Sequence, residues 1–212
     1  RHSVDAAPGR AVVPSPMRWH DRTMRVTELA PGLWRWTAPH PDWTEADEWP
    51  QDVGCVYYEA PASTVLIDPL VPAGERERFF DALDRDVERR GLPVTILLTC
   101  DWHARSTDEL TTRYDAGRAT PAGVDPFALP ELEETIWWLR EHGALVAGDV
   151  LLGAPGGARV CPDSRLEGRT SPAALRAALR PLLELPAERL LLSHGEPVLA
   201  DGRAALERAL RE

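Results

Sequence analysis

The most regular apolar run of the chain covers residues 94–98 and is interrupted by a single polar residue, Thr95. A short run of branched apolar side chains is typical of a strand that is buried on both faces. Six further runs have the length of strands, and the first of them alternates between apolar and polar positions. They are residues 33–37, 53–59, 64–67, 135–139, 144–146 and 190–192. Short turns at residues 60–63 and 140–143 predict two hairpins.

Helical periodicity appears between the strands. Residues 72–90 place four apolar side chains on one helix face, and Gly91 stands where a C-terminal cap is expected. Ser106 begins a Ser-x-x-Glu sequence, which predicts a capping box, and Ser171-Pro172 is a favoured helix start. The predicted helices are residues 72–90, 107–114, a segment that begins at 172, and residues 201–211.

Three segments without periodicity, residues 38–52, 117–133 and 151–169, are predicted to be loops. The first contains Trp43 and Trp49, which would either form the wall of a pocket or cover a sheet edge. Residues 1–24 contain scattered charges and prolines, so we expect a tail there and a single domain over residues 25–212.

The charge of the chain excludes some classes of partner. The formal net charge is -10, and every Lys or Arg position is an arginine. The arginines do not form a basic cluster along the sequence. This argues against nucleic acid and against anionic membranes as partners. No apolar run reaches the ~20 residues of a membrane span, and no signal peptide is recognisable, which predicts a cytoplasmic protein. The three cysteines are widely spaced and predict no disulfide framework.

Polar residues follow four of the predicted strands at the point where each strand ends. These residues are Asp68, the sequence Cys100-Asp101-Trp102-His103, Asp149 and Ser193-His194. In open α/β sheets, ligands bind outside the carboxyl ends of the strands. Each residue also has an ordinary interpretation: His103 as a hydrogen-bonded core histidine, Asp149 as a loop residue, Asp68 as a structural carboxylate. Together they predict one site at one edge of the fold.

The ordered set of motifs resembles the metallo-β-lactamase superfamily over residues 26–212. The motifs are Gly32-Leu33-Trp34, Gly54-Cys55-Val56-Tyr57-Tyr58, Val65-Leu66-Ile67-Asp68-Pro69, the Leu98-Thr99 elbow, Ala147-Gly148-Asp149-Val150-Leu151 and Ser193-His194-Gly195-Glu196-Pro197. The resemblance implies an α/β fold of the αββα sandwich type, in which two mixed sheets are flanked by helices. It also implies a metal site at one edge, between the two sheets.

The metal motif of that family is only partly present. Its H-x-H-x-D-H pattern falls on residues 101–106, where His103 alone is a histidine. The resemblance therefore implies Asp101, His103, Asp149 and His194 as metal ligands, with no candidate for the histidine in the middle of the chain. A second register places Cys100 at the first ligand position. Cys100 could also be a nucleophile beside His103, but nothing in the sequence orients that pair, so a packing role is expected.

Arg105 stands where the resemblance implies an aspartate ligand. A guanidinium cannot coordinate a cation, but it could pair with Asp149 and replace the charge of the metal. This suggests a metal-free or single-metal protein that binds a small anionic or aromatic molecule through Arg105, Trp102, Trp43, Trp49 and Asp68. The alternative is a hydrolase of an ester, thioester or lactone, with one Zn²⁺ and with Asp149 and His103 as catalytic residues.

Overall fold

Two large sheets form the centre of the computed structural model, which describes residues 24–47 and 49–211. The first sheet is mixed and has the order β1 (Arg25–Ala30), β2 (Leu33–Pro39), β3 (Asp52–Ala60), β4 (Ser63–Ile67) and β5 (Val94–Leu97). The second sheet contains β6 (Val124–Leu129), β7 (Glu134–Leu139), β8 (Ala144–Ala147) and β11 (Arg189–Leu192), in the order β11-β8-β7-β6. A small hairpin joins β9 (Leu151–Ala154) to β10 (Gly157–Val160).

Alternation along the strands creates three apolar layers. Val56 and Tyr58 of β3 pack between the sheets against Trp137 and Val146. On the opposite face of the first sheet, Tyr57 belongs to a cluster with two helices, α1 (Arg76–Arg90) and α2 (Thr107–Tyr114). The outer face of the second sheet packs against α3 (Pro172–Leu179) and α4 (Gly202–Ala209). Since successive residues of a strand face opposite sides, one strand contributes to two layers. The predicted αββα sandwich is confirmed.

The carboxyl ends of two parallel strand pairs meet at one edge of the sandwich. β4 pairs with β5 in the first sheet, and β8 pairs with β11 in the second, both in parallel. Two backbone hydrogen bonds join the sheets at this edge: Gly54 N–H donates to Ser193 O at 2.8 Å, and Thr135 N–H donates to Thr99 O at 2.7 Å. The four strand ends that carry polar residues therefore lie close together at one edge of the sandwich.

Some local predictions are confirmed and others are wrong. Gly91 caps α1 with a φ of 59°, and the side chain of Ser171 accepts the N–H of Ala174 at the start of α3. Ser106 does not form the predicted capping box, because its hydroxyl accepts the N–H of Val71 from another segment. The predicted loop at residues 151–169 contains β9 and β10, and the predicted loop at residues 117–133 contains all of β6.

Residues 1–23 lie outside the described residues, and the predicted tail falls almost wholly on them. The single domain over residues 25–212 stays a prediction. In the part of the chain that the structure describes, no helix is long and apolar enough to cross a membrane.

Candidate metal centre

Asp68 organises the floor of the site, directly after β4. Its carboxylate is buried, with Oδ1 accepting the N–H of Thr99 at 2.8 Å and Oδ2 accepting the hydroxyls of Thr99 at 2.5 Å and Ser193 at 3.0 Å. Nδ1 of His103 lies 2.9 Å from the same Oδ2. Burial opposes ionisation of Asp68, but the neighbouring His103 outweighs it and lowers the pKa of the carboxyl. Asp68 therefore fixes the orientation of the His103 ring.

His103 and His194 converge on Asp149. Nε2 of His194 lies 3.0 Å from Oδ1 of Asp149, and Nε2 of His103 lies 3.5 Å from the same atom. Oδ1 is buried and, among the described residues, has no aligned hydrogen-bond donor. Oδ2 accepts the indole N–H of Trp102 at 2.7 Å. One carboxylate oxygen thus stands between two imidazole nitrogens without a hydrogen bond.

The electrostatics of these three groups are coupled. Burial opposes ionisation of Asp149, yet the two imidazoles hold its pKa below the ordinary value. Burial also opposes a charged His103, but Asp68 and Asp149 raise the pKa of its imidazole well above the usual range. For His194, burial dominates and lowers the pKa. The site therefore combines carboxylates that stay ionised with one neutral and one readily protonated imidazole.

Cys100 completes a cluster of potential metal ligands. Its sulfur, a nitrogen of His103 and a carboxylate oxygen of Asp149 all lie within 4.8 Å of one another. Burial raises the pKa of the Cys100 thiol and outweighs the opposing effect of the neighbouring His103. Asp101, by contrast, is exposed and lies outside this cluster. The structure therefore brings together the residue of the second register, Cys100, with His103, Asp149 and His194.

The geometry of residues 101–103 explains why Cys100 and His103 point the same way. These residues form one turn of 3₁₀-helix, with Cys100 immediately before it. Since a 3₁₀-helix has three residues per turn, side chains three positions apart lie on the same side. The sequence pattern alone does not reveal this turn, and the register with Cys100 at the first ligand position misaligns the other ligand positions of the family pattern.

Arg105 does not form the hypothesised pair with Asp149. Its Nη1 donates to the backbone oxygen of Asp68 at 3.1 Å and lies 4.0 Å from the sulfur of Cys55. Its backbone has a φ of 39°, in the left-handed region. The guanidinium therefore supports the turn after β4 and leaves the carboxylate of Asp149 to the two histidines and Trp102.

A cavity of about 600 Å³ opens beside Asp149. Its wall includes Trp102, which is 46% exposed, and two cations that the sequence analysis did not single out, Arg165 and Arg169. The Arg169 guanidinium lies 5.6 Å from the centre of the Trp102 ring. Arg169 also pairs with Glu133 and Glu167 at the surface.

Trp49 lies against His194. The Trp49 ring lies 4.7 Å from the His194 ring, and Arg165 lies 6.0 Å from the Trp49 ring. The indole N–H of Trp43 donates to the backbone oxygen of Trp49. Trp49 thus contacts the candidate ligand His194 directly, whereas Trp43 supports the turn that carries Trp49.

Glu134 is a further residue that sequence reasoning missed. Its buried carboxylate accepts the N–H of Asp149 at 3.1 Å, and the N–H of Val150 lies 3.2 and 3.1 Å from its two oxygens. Burial, and then the charge of Asp149, raise its pKa to about 8. The residue opens β7, so no apolar strand precedes it to draw attention to it.

Comparison with known structures identifies the fold. The mono-zinc form of an NDM_FIM-1-like metallo-β-lactamase from Erythrobacter litoralis is 16% identical, covers 89% of this chain and 95% of its own, and superposes with a TM-score of 0.59. VMB-1 is 10% identical over 89% of this chain and 95% of its own, with a TM-score of 0.57. A metallo-β-lactamase from Pontibacter korlensis is 14% identical over 90% and 100%, with a TM-score of 0.51.

These likenesses define the class of architecture: the chain has the metallo-β-lactamase fold. The resemblance inferred from the ordered motifs is confirmed at this level. No protein-family model and no curated protein matches the sequence.

Proposed function

We propose that this protein holds one transition-metal ion, of which zinc suits the donors best, and acts as a hydrolase on a small molecule bound in the adjoining cavity. The observation that carries the proposal is Oδ1 of Asp149. This buried oxygen has no aligned hydrogen-bond donor among the described residues, while two imidazole nitrogens lie 3.0 and 3.5 Å away. A cation would satisfy all three atoms at once.

The donor set fits a single ion. Cys100, His103 and Asp149 offer ligand atoms within 4.8 Å of one another, and Nε2 of His194 lies 3.0 Å from Oδ1 of Asp149. With His194 included, the donors are one sulfur, two nitrogens and one oxygen, which is a zinc-like combination. Asp68 binds the other nitrogen of the His103 ring at 2.9 Å, as carboxylates do behind metal-bound histidines. A second ion does not fit, because Arg105 and Ser106 both use their side chains to support the segment after β4.

When bound, an ion of this kind supplies a Lewis acid and an activated water at neutral pH. The residues of the chain supply the rest of the site. Asp68 keeps His103 in one orientation, and Trp102 holds Oδ2 of Asp149 so that Oδ1 faces the histidines. In this proposal a small ester, thioester or lactone binds in the cavity beside Asp149, whose volume of about 600 Å³ is in the range of small-molecule sites.

Metal content and ligand identity test the proposal. Untreated protein is expected to contain one equivalent of transition metal by mass spectrometry. The Co²⁺ form is expected to show a near-ultraviolet sulfur-to-cobalt band that disappears in Cys100→Ser and persists in Cys161→Ser, the matched control from the cavity wall. Hydrolysis of ester, thioester or lactone probes should require the metal. Protein without metal, and without activity after zinc is added, would show the proposal to be wrong.

A second candidate function is binding of an anionic or aromatic small molecule without metal. It is favoured by Trp102, which lies half exposed in the cavity wall with its ring beside Arg169. An aromatic anion could stack on the indole and pair with the guanidinium. In this version the two histidines and Asp149 form a polar wall of the site and hold no ion.

Benzoate and its neutral analogue benzamide distinguish this candidate. Benzoate is expected to bind better than benzamide, and Arg169→Ala to weaken benzoate binding about tenfold, the loss of roughly one charge-assisted hydrogen bond. Arg159→Ala is the matched control, because Arg159 is exposed on β10 and does not line the cavity. Equal binding of the two probes, measured from chemical shifts of the tryptophan indoles, would remove this candidate.

A further inference from the structure

Glu134 holds the turn that carries Asp149. The carboxylate accepts the backbone N–H groups of Asp149 and Val150, the two residues that follow Gly148. It reaches this turn from the first residue of β7, which pairs through its backbone with Cys100. Glu134 therefore contacts two of the three segments that supply candidate metal ligands.

The packing beneath this turn leaves no room for rearrangement. A Cβ atom at Gly148 would lie 2.5 Å from Oγ1 of Thr99 and 3.0 Å from Oε1 of Glu134. Thr99 itself is fixed by two hydrogen bonds to Asp68. The Glu134 carboxylate is thus enclosed between Thr99 and the turn, and its oxygens are directed at backbone N–H groups.

An ordinary structural role does not explain this choice of residue. A buried carboxylate is costly unless it is paired, and Glu134 accepts its hydrogen bonds from the backbone of the very residue on which two histidines converge. The same carboxylate lines the cavity beside Asp149. An apolar residue would fill the volume but would release the two N–H groups of the turn.

We infer that Glu134 is a positioning residue: it sets the direction of the Asp149 side chain, and thereby the metal affinity, by fixing the backbone of residues 149–150. The part of this inference that concerns metal affinity rests on the proposed metal centre. The part that concerns the direction of Asp149 does not, because that direction is also marked by the hydrogen bond from the Trp102 indole N–H to Oδ2 of Asp149.

Two substitutions separate hydrogen bonding from packing. Glu134→Leu fills the site without an acceptor, and Glu134→Gln keeps one acceptor oxygen. Loss of such an outer partner typically weakens metal binding about 10–100-fold. We expect that loss for Co²⁺ in Glu134→Leu, measured by titration, and a change of a few-fold at most in Glu134→Gln. Glu131→Gln, an exposed glutamate three residues earlier, is the matched control.

The indole ¹H–¹⁵N resonance of Trp102 provides the second readout, assigned by its absence in Trp102→Phe. In metal-free protein it should move in Glu134→Leu and stay in place in Glu134→Gln and Glu131→Gln. If the wild-type chain binds no Co²⁺, the proposed function fails and this resonance alone decides the role of Glu134. An unmoved resonance in Glu134→Leu would overturn the inference, as would Co²⁺ affinity equal to that of the wild type.

If Glu134→Leu does not fold, Gly148→Ala tests the same contact from the other side. The added methyl group must separate the turn from Glu134 and Thr99. The Trp102 resonance should then move and Co²⁺ affinity should fall, and the inference is wrong if neither changes.

Discussion

At the scale of single residues, the site depends on which atoms are left without a partner. Oδ2 of Asp149 is occupied by Trp102, and Nδ1 of His103 by Asp68. Oδ1 of Asp149 and the Nε2 atoms of the two histidines face one another, and Nδ1 of His194 is buried without a hydrogen-bond partner among the described residues. The hydrogen bonds from Trp102 and to Asp68 therefore direct the potential ligand atoms of Asp149 and His103 toward each other.

Glu134 makes the stability of the metal-free protein depend on pH in a definite direction. Its folded pKa of about 8 lies above the ordinary value, so the folded state binds more protons than the unfolded state between about pH 4.5 and 8. The free energy of unfolding should therefore fall as the pH rises through this window. The raised pKa of His103 acts in the same direction from about pH 6.5 upward.

Glu134→Gln isolates the first contribution, because an amide does not titrate. Urea unfolding of metal-free protein at several pH values should give a flatter curve for this variant between pH 4.5 and 6, where His103 contributes little. Glu131→Gln should reproduce the wild-type slope. Parallel curves for wild type and Glu134→Gln would show that the Glu134 carboxyl titrates normally.

The residues that could be predicted from the sequence share one property: they follow apolar strands. Asp68, Asp149 and His194 stand directly after such strands, and His103 lies shortly after another, so an edge of converging strand ends brings them together. Glu134 precedes its strand, and Arg165 and Arg169 belong to an irregular segment. Their positions depend on tertiary packing, which local patterns do not encode.

At the scale of elements, two short strands that the sequence did not predict support His194. The N–H of Gly153 in β9 donates to the backbone oxygen of His194 at 2.8 Å. Four-residue strands interrupted by glycines carry too little periodicity to be recognised. β6 was missed because it contains Pro126, and prolines are tolerated in edge strands such as this one.

Arg35, a residue of β2 in the first sheet, stabilises the turn that carries His194. Its Nη2 donates to the backbone oxygens of Leu192 at 3.3 Å and Gly195 at 3.1 Å. Gly54 makes this approach possible, because an added Cβ would lie 2.6 Å from both Leu192 O and the Arg35 guanidinium. The turn around His194 is therefore in direct contact with the backbone of β3 and with the side chain of Arg35.

Gly54→Ala is accordingly expected to destabilise the protein by about 1–3 kcal/mol, the usual penalty for overpacking. It should also weaken Co²⁺ binding, since the His194 turn must move. Gly74→Ala serves as the control, because a Cβ there meets no atom within 4 Å, and its effect should stay within about 0.5 kcal/mol. Urea unfolding measures the stability of Gly54→Ala and of Gly74→Ala. Equal stability of the two variants would contradict the close contact at Gly54.

At the scale of the whole molecule, the αββα order was predictable because apolar runs, hairpins and helix starts follow one another in a recognisable sequence. Which sheet supplies which part of the site was not predictable to the same degree. The first sheet supplies Cys100 and His103 after β5, and the second supplies Asp149 after β8 and His194 after β11. The pairing of these groups depends on how the two sheets pack.

Metal should therefore stabilise the whole fold rather than one loop. An ion that binds only the folded state at 100 times its dissociation constant adds about 2.7 kcal/mol, which for a chain of this size raises the melting temperature by roughly 5–10 °C. We expect this rise on adding Zn²⁺ and its reversal by a chelator. His194→Ala should abolish most of it, and a rise of equal size in that variant would exclude His194 as a ligand.

The equal division of donors between the sheets bears on how the protein assembles. A chain in which one sheet has formed and the other has not presents at most two of the four donor groups, too few to hold an ion firmly. Tight metal uptake therefore marks the moment at which the sheets dock. The absorbance of bound Co²⁺ during refolding would therefore report when the two sheets dock. Docking occurs at the edge where Gly54 contacts Ser193 and Thr135 contacts Thr99.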